Sequence, residues 1–365
     1  MRLFKRICRG LIRHFLSLMR LQYKGVKYLC FVIRQLATGN SDDLGYISYY
    51  TNRFFHSKPV HPSMILRKIK GENMLDGSDT LCLFCHFDIH ALIDDHVIYT
   101  LQKLRDELNA AIVFVSNSES LSDAEIDKIR HLCALILVRR NEGLDFAGWK
   151  QGLECVGSLD AYSRILLTND SIYGPFFSLE HLPELLPDDH PAILGLTRSY
   201  SGIKKEYLQS YFLMFNKPAF SGEWFKRFWK SVKSQTLYAS IVYFYEIGLS
   251  QYAIKAGVEL IPYINNTHAI RVAIAEEERP DYWQQLSLDY LNPTIALWRQ
   301  LMLHYRFPYM KVRVLRDKYA EVPNLGTFFK TLEHVSEYPP ELIVNHLQRV
   351  APNAVVLDHF AAGKH

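Results

Sequence analysis

Apolar and polar residues follow two different rhythms along this chain. Leu3, Phe4, Ile7, Leu11, Phe15, Leu18 and Leu21 recur at three- and four-residue steps, with Arg2, Lys5, Arg6, Arg9, Arg13 and Arg20 between them. That spacing predicts an N-terminal basic amphipathic helix. From Thr80 the rhythm changes to short, unbroken apolar runs separated by amphipathic stretches. Residues 80–87, 111–115, 134–138 and 163–168 read as strands buried on both faces, because they show no polar alternation. Residues 93–108, a stretch opened by the capping box Ser122-Asp123-Ala124-Glu125, and residues 146–155 read as the helices between them. This alternation predicts an α/β fold with a doubly wound, mostly parallel sheet flanked by helices.

The same patterning divides the chain. Residues 1–40 form the basic helical segment. Residues 41–79 are turn-rich and read as a connector with a short helix. Residues 80–325 hold the main domain, with further strands expected over 192–196, 208–215 and 260–264. Helices are expected there over 220–232, 243–255 and 281–303. Residues 326–365 form a C-terminal tail without a readable pattern.

Composition sharpens two points. At 48% hydrophobic and 22% charged residues over a length of 365, the chain is globular. Its net charge of +4 is unevenly placed: residues 1–41 carry nine Lys or Arg and no acid, leaving 33 basic and 38 acidic residues elsewhere. The basic segment therefore reads either as a helix lying on an anionic membrane surface or as a packing helix with a solvated basic face. No nucleic-acid-binding module accompanies the charge. Cys82 and Cys85 fall on opposite faces of one expected strand and read as a buried, reduced pair. The Met1 region lacks a secretory pattern, and no apolar run is long enough to span a membrane. A cytoplasmic protein, peripheral on the inner face of the cell membrane, is the expectation.

Candidate chemistry gathers where strands end. His86 and Asp88 follow the first strand, Asn117 the second, Asn141, Gly143 and Asp145 the third, and Asn169, Asp170 and Ser171 the fourth. If the strands are parallel, these residues share one edge, where α/β sheets bind ligands. A carboxylate flanked by an amide and a hydroxyl suits a divalent cation or a sugar, although Asn-Asp-Ser also reads as a plain loop. Neither a G-x-G-x-x-G nor a P-loop nor a G-x-S-x-G elbow is present, which disfavours dehydrogenase, NTPase and hydrolase readings. Glu246 is a lone acid among aromatic and aliphatic residues at the start of a helix, either a base with a raised pKa or an exposed first-turn carboxylate. His268, in N-N-T-H, is a further candidate metal ligand beside Asp170.

The motifs H-F-D at 86–88, R-N-E-G-L-D-F-A-G-W-K at 140–150, L-L-T-N-D-S-I-Y-G-P at 166–175, L-Q-S-Y-F-L-M-F at 208–215, Y-E-I-G-L-S at 245–250 and N-P-T-I-A-L-W-R at 292–299 resemble the rhamnan synthesis F family. The resemblance covers roughly residues 80–320. It implies a bacterial glycosyltransferase with a GT-A-like nucleotide-sugar fold, a dTDP-L-rhamnose donor and a lipid-linked glycan acceptor of a surface polysaccharide. Transfer would invert the sugar, with Glu246 as general base and a divalent cation, Mg²⁺ or Mn²⁺, at Asp170. Lys150 and Tyr173 lie in the same motifs and join the expected donor-binding set. Where that fold commonly carries D-x-D, this chain reads Asn169-Asp170-Ser171, with one carboxylate. A non-catalytic sugar-binding module on the same scaffold is the alternative.

Overall fold

A computed structural model describes residues 56–75, 77–200, 205–264, 292–317, 322 and 324–362. The chain forms two units, Met1–Ser57 with Gln235–Ser240, and Lys58–Ser234 with Ile241–His365. The second unit carries the fold and the site. The basic helix expected over residues 1–38, and His268, lie outside the described residues.

Eight strands build one sheet. They are β1 (Ile65–Lys70), β2 (Thr80–His86), β3 (Ala110–Ser116), β4 (Leu135–Arg139), β5 (Arg164–Asn169), β6 (Ala192–Gly195), β7 (Phe212–Asn216) and β8 (Glu259–Pro262). In space they run β8-β6-β7-β5-β2-β3-β4-β1. The four expected strands form its parallel centre: β2 pairs in parallel with β3 and β5, and β3 with β4. Antiparallel strands flank them, β1 on β4 and β7 on β5.

The central strands are buried on both faces because helices cover both. Cys82 and Phe84 pack with Val97, Leu101 and Leu104 of α1 (Asp95–Leu108) and with Ile126 of α2 (Asp123–Ile129). Leu81, Leu83 and Cys85 point the other way, against Phe146, Trp149 and Leu153 of α3 (Leu144–Val156). The two thiols thus sit on opposite faces, buried and free, as their spacing requires. The approach of α3 is close enough to need glycine, since a Cβ on Gly152 would meet Leu83 Cδ2 at 2.4 Å. Ser122 caps α2 as expected, but Glu125 reaches the Ile93 N–H at 2.6 Å instead of closing the box on Ser122.

Several sequence-based boundaries need correction. The connector contains β1, a charged edge strand. Residues 208–215 split into Glu206–Leu208 and β7, because Gln209 leaves the ladder and its N–H bonds Thr197 O at 3.2 Å. Gly222 interrupts the helix over 220–232, leaving Lys217–Ser221 and α4 (Glu223–Ser231). The aromatic stripe of α4 is core: Phe225, Phe228 and Trp229 are buried. A π-helical turn, Val242–Glu246, precedes α5 (Ile247–Lys255). The tail is folded. Phe328 and Leu332 of α7 (Phe328–Val335) and Ile343, Val344 and Leu347 of α8 (Glu341–Val350) make a third core with Tyr173, Phe176 and Trp298, the last from α6 (Trp298–Tyr305). Among the described residues no helix is long and apolar enough to cross a membrane.

Candidate active site

The parallel register of β2, β3, β4 and β5 brings their carboxyl ends to one edge, and the loops beyond them are tied together. The Asp170 N–H donates to Cys85 O at 3.1 Å, and Asp170 Oδ2 accepts the Phe87 N–H at 2.7 Å. Beside it, Asn169 Nδ2 donates to Asp145 Oδ2 at 2.8 Å, while Asn169 Oδ1 accepts from Ser171 Oγ at 2.6 Å. Asp145 reaches this cluster because Gly143 turns the chain at φ 80° and becomes the N-cap of α3. A side chain at Gly143 would meet Ala147 Cβ and Ser234 Cα at 2.8 Å, so glycine is required. A capping role for Asp145 is thereby excluded. Its carboxylate is spent on Asn169, one turn away from the helix end.

Charge at this edge is out of balance. Burial pushes the Asp170 carboxyl up to about 8, aided by the nearby charges of Asp145 and Asp88 and opposed by the Phe87 N–H. Burial also raises Asp145 and Glu246. Glu246, half-buried, accepts the Ser210 N–H at 3.1 Å and feels the opposing charge of Lys311 and the repulsion of Asp145. Three partly desolvated carboxylates near one another favour any ligand that brings hydrogen-bond donors or positive charge. Among the described residues, no three His, Cys, Asp or Glu side chains form a ready-made metal site.

A second tie comes from the C-terminal tail. Asp88 Oδ1 accepts the N–H groups of His90 and Leu92 at 2.8 and 3.2 Å, holding the loop after β2 in a tight turn. Its Oδ2 takes Arg349 Nη2 of α8 at 2.6 Å, and Arg349 Nε reaches Asp94 Oδ1 at 3.1 Å. From the same helix, His346 Nδ1 pairs with the Tyr173 hydroxyl at 2.6 Å.

With this geometry established, comparison with known proteins places the chain. Residues 112–360 match the family described as rhamnan synthesis protein F. The chain belongs to that family. It is 26% identical over 304 residues to the virulence protein VirA of Vibrio anguillarum, a match covering 76% of this chain and 94% of that protein. An uncharacterised protein of Sinorhizobium fredii is 27% identical over 124 residues, 33% of this chain and 32% of its own. Among solved structures, the bifunctional glycosyltransferase WbbM aligns with 13% identity and a TM-score of 0.38, over 75% of this chain and 53% of that one. The galactosyltransferase LgtC, solved with donor and acceptor sugar analogues, aligns with 10% identity and a TM-score of 0.34, over 72% and 98%. Membership of the rhamnan synthesis protein F family rests on the sequence match.

In this member of the family the expected site residues part into two groups. Asp88, Asp145, Asn169, Asp170 and Ser171 converge, with Glu246 facing the same region. Asn141 stands at the end of β4 with its Oδ1 buried and, among the described residues, without a partner. The others are committed to the scaffold. His86 is 2% exposed, its ring nitrogens on Ser116 Oγ and Leu92 O, and burial lowers it to about 4. Asn117 is buried and accepts from Arg139. Lys150 Nζ is bound to Val232 O at 3.1 Å, and Tyr173 is fully buried. Three residues that sequence patterning passed over matter here. Arg139 is buried at the end of β4 and donates to Gln151 Oε1 at 2.6 Å and Glu142 O at 2.7 Å. Arg349 and Lys311 come from segments without a motif.

Proposed function

We propose that this chain is a glycosyltransferase that moves a sugar from a nucleotide-sugar donor to a hydroxyl of a growing bacterial polysaccharide. The observation that carries the reading is the convergence of Asp145, Asp170 and Glu246 at the carboxyl edge of a parallel sheet, in a family named for rhamnan synthesis. The family name favours L-rhamnose from dTDP-L-rhamnose as the transferred sugar, with a lipid-linked acceptor. The N-terminal basic segment would hold the enzyme at an anionic membrane surface.

Asp145, Asn169 and Ser171 offer a carboxylate, an amide and a hydroxyl in fixed mutual geometry, suited to ribose or sugar hydroxyls of the donor. Asn141 Oδ1 is a free acceptor on the same edge. A divalent cation fits at Asp170, because it would return that buried carboxyl to the ionised form and offset the charge of Asp145 and Asp88. The donor diphosphate would complete its coordination, and its chemistry there is neutralising charge on the leaving phosphate.

Glu246 serves as general base. It takes the proton of the acceptor hydroxyl as that oxygen bonds to the anomeric carbon. The bond from that carbon to phosphate oxygen breaks, the nucleoside diphosphate leaves with the electron pair, and the sugar inverts. Burial raises the basicity of Glu246 toward the working pH, which suits this role. The test is a screen of nucleotide sugars against the purified chain, reading donor hydrolysis and thermal shift. One donor should stabilise the protein and be turned over, and a screen without a turned-over donor overturns the proposal.

A further inference from the structure

Lys311 belongs to a two-residue strand, Met310–Lys311, that pairs antiparallel with Ile172–Tyr173, opposite Ile172 itself. The next residue continues the tie, since the Val312 N–H donates to Ser171 O at 2.9 Å. The backbone of Lys311 is therefore fastened to the segment that follows Asp170. Its side chain crosses to a different element. Nζ stands 5.0 Å from the centroid of the Tyr211 ring. Tyr211 is 4% exposed and its hydroxyl is held by Thr197 Oγ1 at 3.1 Å, so the ring is a fixed platform. The residue before it, Ser210, donates its N–H to Glu246 Oε1. Two adjacent residues of one turn thus seat the ammonium and the carboxylate side by side.

We propose that Lys311 is a positioning residue of the transfer reaction, holding the Glu246 carboxylate ionised and oriented toward the acceptor hydroxyl. This rests on the reading of Glu246 as base. The surrounding charges are consistent with it. Glu246 faces Lys311 from the 310–311 strand and Asp145 from α3, and Lys311 faces Glu246 and Arg313. Lys311 is thus the cation among the groups acting on Glu246. Burial brings the ammonium down to about 8, so it remains charged at neutral pH while staying close to a group it must not outcompete for protons.

The experiment measures kcat/KM against pH for the full chain, for Lys311→Gln, for Lys311→Arg and for Glu246→Gln. The assay uses dTDP-L-rhamnose and a rhamnan oligosaccharide. Removing an opposite charge raises the pKa of a carboxylate, so the acidic limb of Lys311→Gln should move up by about one pH unit or more. Activity should fall about tenfold at pH 6.5 and return toward the wild-type value at pH 8.5. Lys311→Arg should keep the wild-type limb. A purely structural role would lower activity equally at all pH values, and a Lys311→Gln profile parallel to the wild type overturns the proposal. Near-normal turnover by Glu246→Gln removes the base reading, and the role of Lys311 with it. An inactive Glu246→Gln beside an unshifted Lys311→Gln removes the role of Lys311 alone.

Discussion

Replacing Arg349 by Ala should destabilise the protein measurably, because this side chain binds two carboxylates from the loop after β2. Arg349 keeps 22% of its side-chain surface, Asp88 10% and Asp94 20%, so the group is largely desolvated. Removing one partner of a buried pair costs about 3–5 kcal/mol, whereas exposed pairs contribute about 0–1. With partial exposure, about 2–3 kcal/mol is the expected loss. A domain of this size shifts by roughly 2 °C per kcal/mol, so the midpoint should drop by about 4–6 °C. The pH dependence adds a second readout. The hydrogen bonds from Arg349, Leu92 and His90 outweigh the burial of Asp88 and hold its carboxyl below the usual range. A group with a depressed folded pKa stabilises above its unfolded value, about 3.9, and loses that contribution as pH falls through the folded value. The wild type should therefore lose stability below about pH 4, and the variant should lose less over the same window. Differential scanning calorimetry at pH 7 and pH 3.5 measures both. A shift under 1 °C at pH 7, or identical acid sensitivity, would refute the assignment of this contact.

Three further outcomes are expected. Asp145→Asn should weaken donor binding about tenfold in isothermal titration, with the melting temperature unchanged or raised, since burial disfavours the charged form of Asp145; wild-type affinity would contradict this. EDTA should abolish turnover and added Mg²⁺ or Mn²⁺ should restore it; activity that survives chelation leaves Asp170 as a sugar ligand only. Binding of the full chain to vesicles containing anionic lipid should fall as salt rises, and deletion of residues 1–38 should remove it; salt-insensitive solubility without vesicle binding supports the packing-helix reading.

The parallel centre of the fold was legible because β2, β3, β4 and β5 are short apolar runs buried on both faces, a pattern that few other structures produce. Strand β1 was hidden because Arg67, Lys68 and Lys70 interrupt it, as befits an edge strand with only one neighbour. The convergence of Asp145, Asp170 and Asn169 followed from parallel topology alone. His86 misled for the same reason: a polar residue at a strand end looks like a ligand, but its ring turns inward and both nitrogens are taken. Arg349 could not be read at all. It lies 261 residues from Asp88, and only the third core, built around Phe328 and Leu347, carries α8 to the site.

The role of Glu246 is the claim on which most depends. The direct measurement is single-turnover sugar transfer by the wild type and by Glu246→Gln, with donor affinity determined on the same samples. The substitution keeps shape and the contact to Ser210 while removing basicity. Transfer should fall about a hundredfold or more with donor affinity unchanged, the size of a general-base effect. Transfer within a few-fold of the wild type would contradict the account and move the base to another carboxylate, Asp88 first.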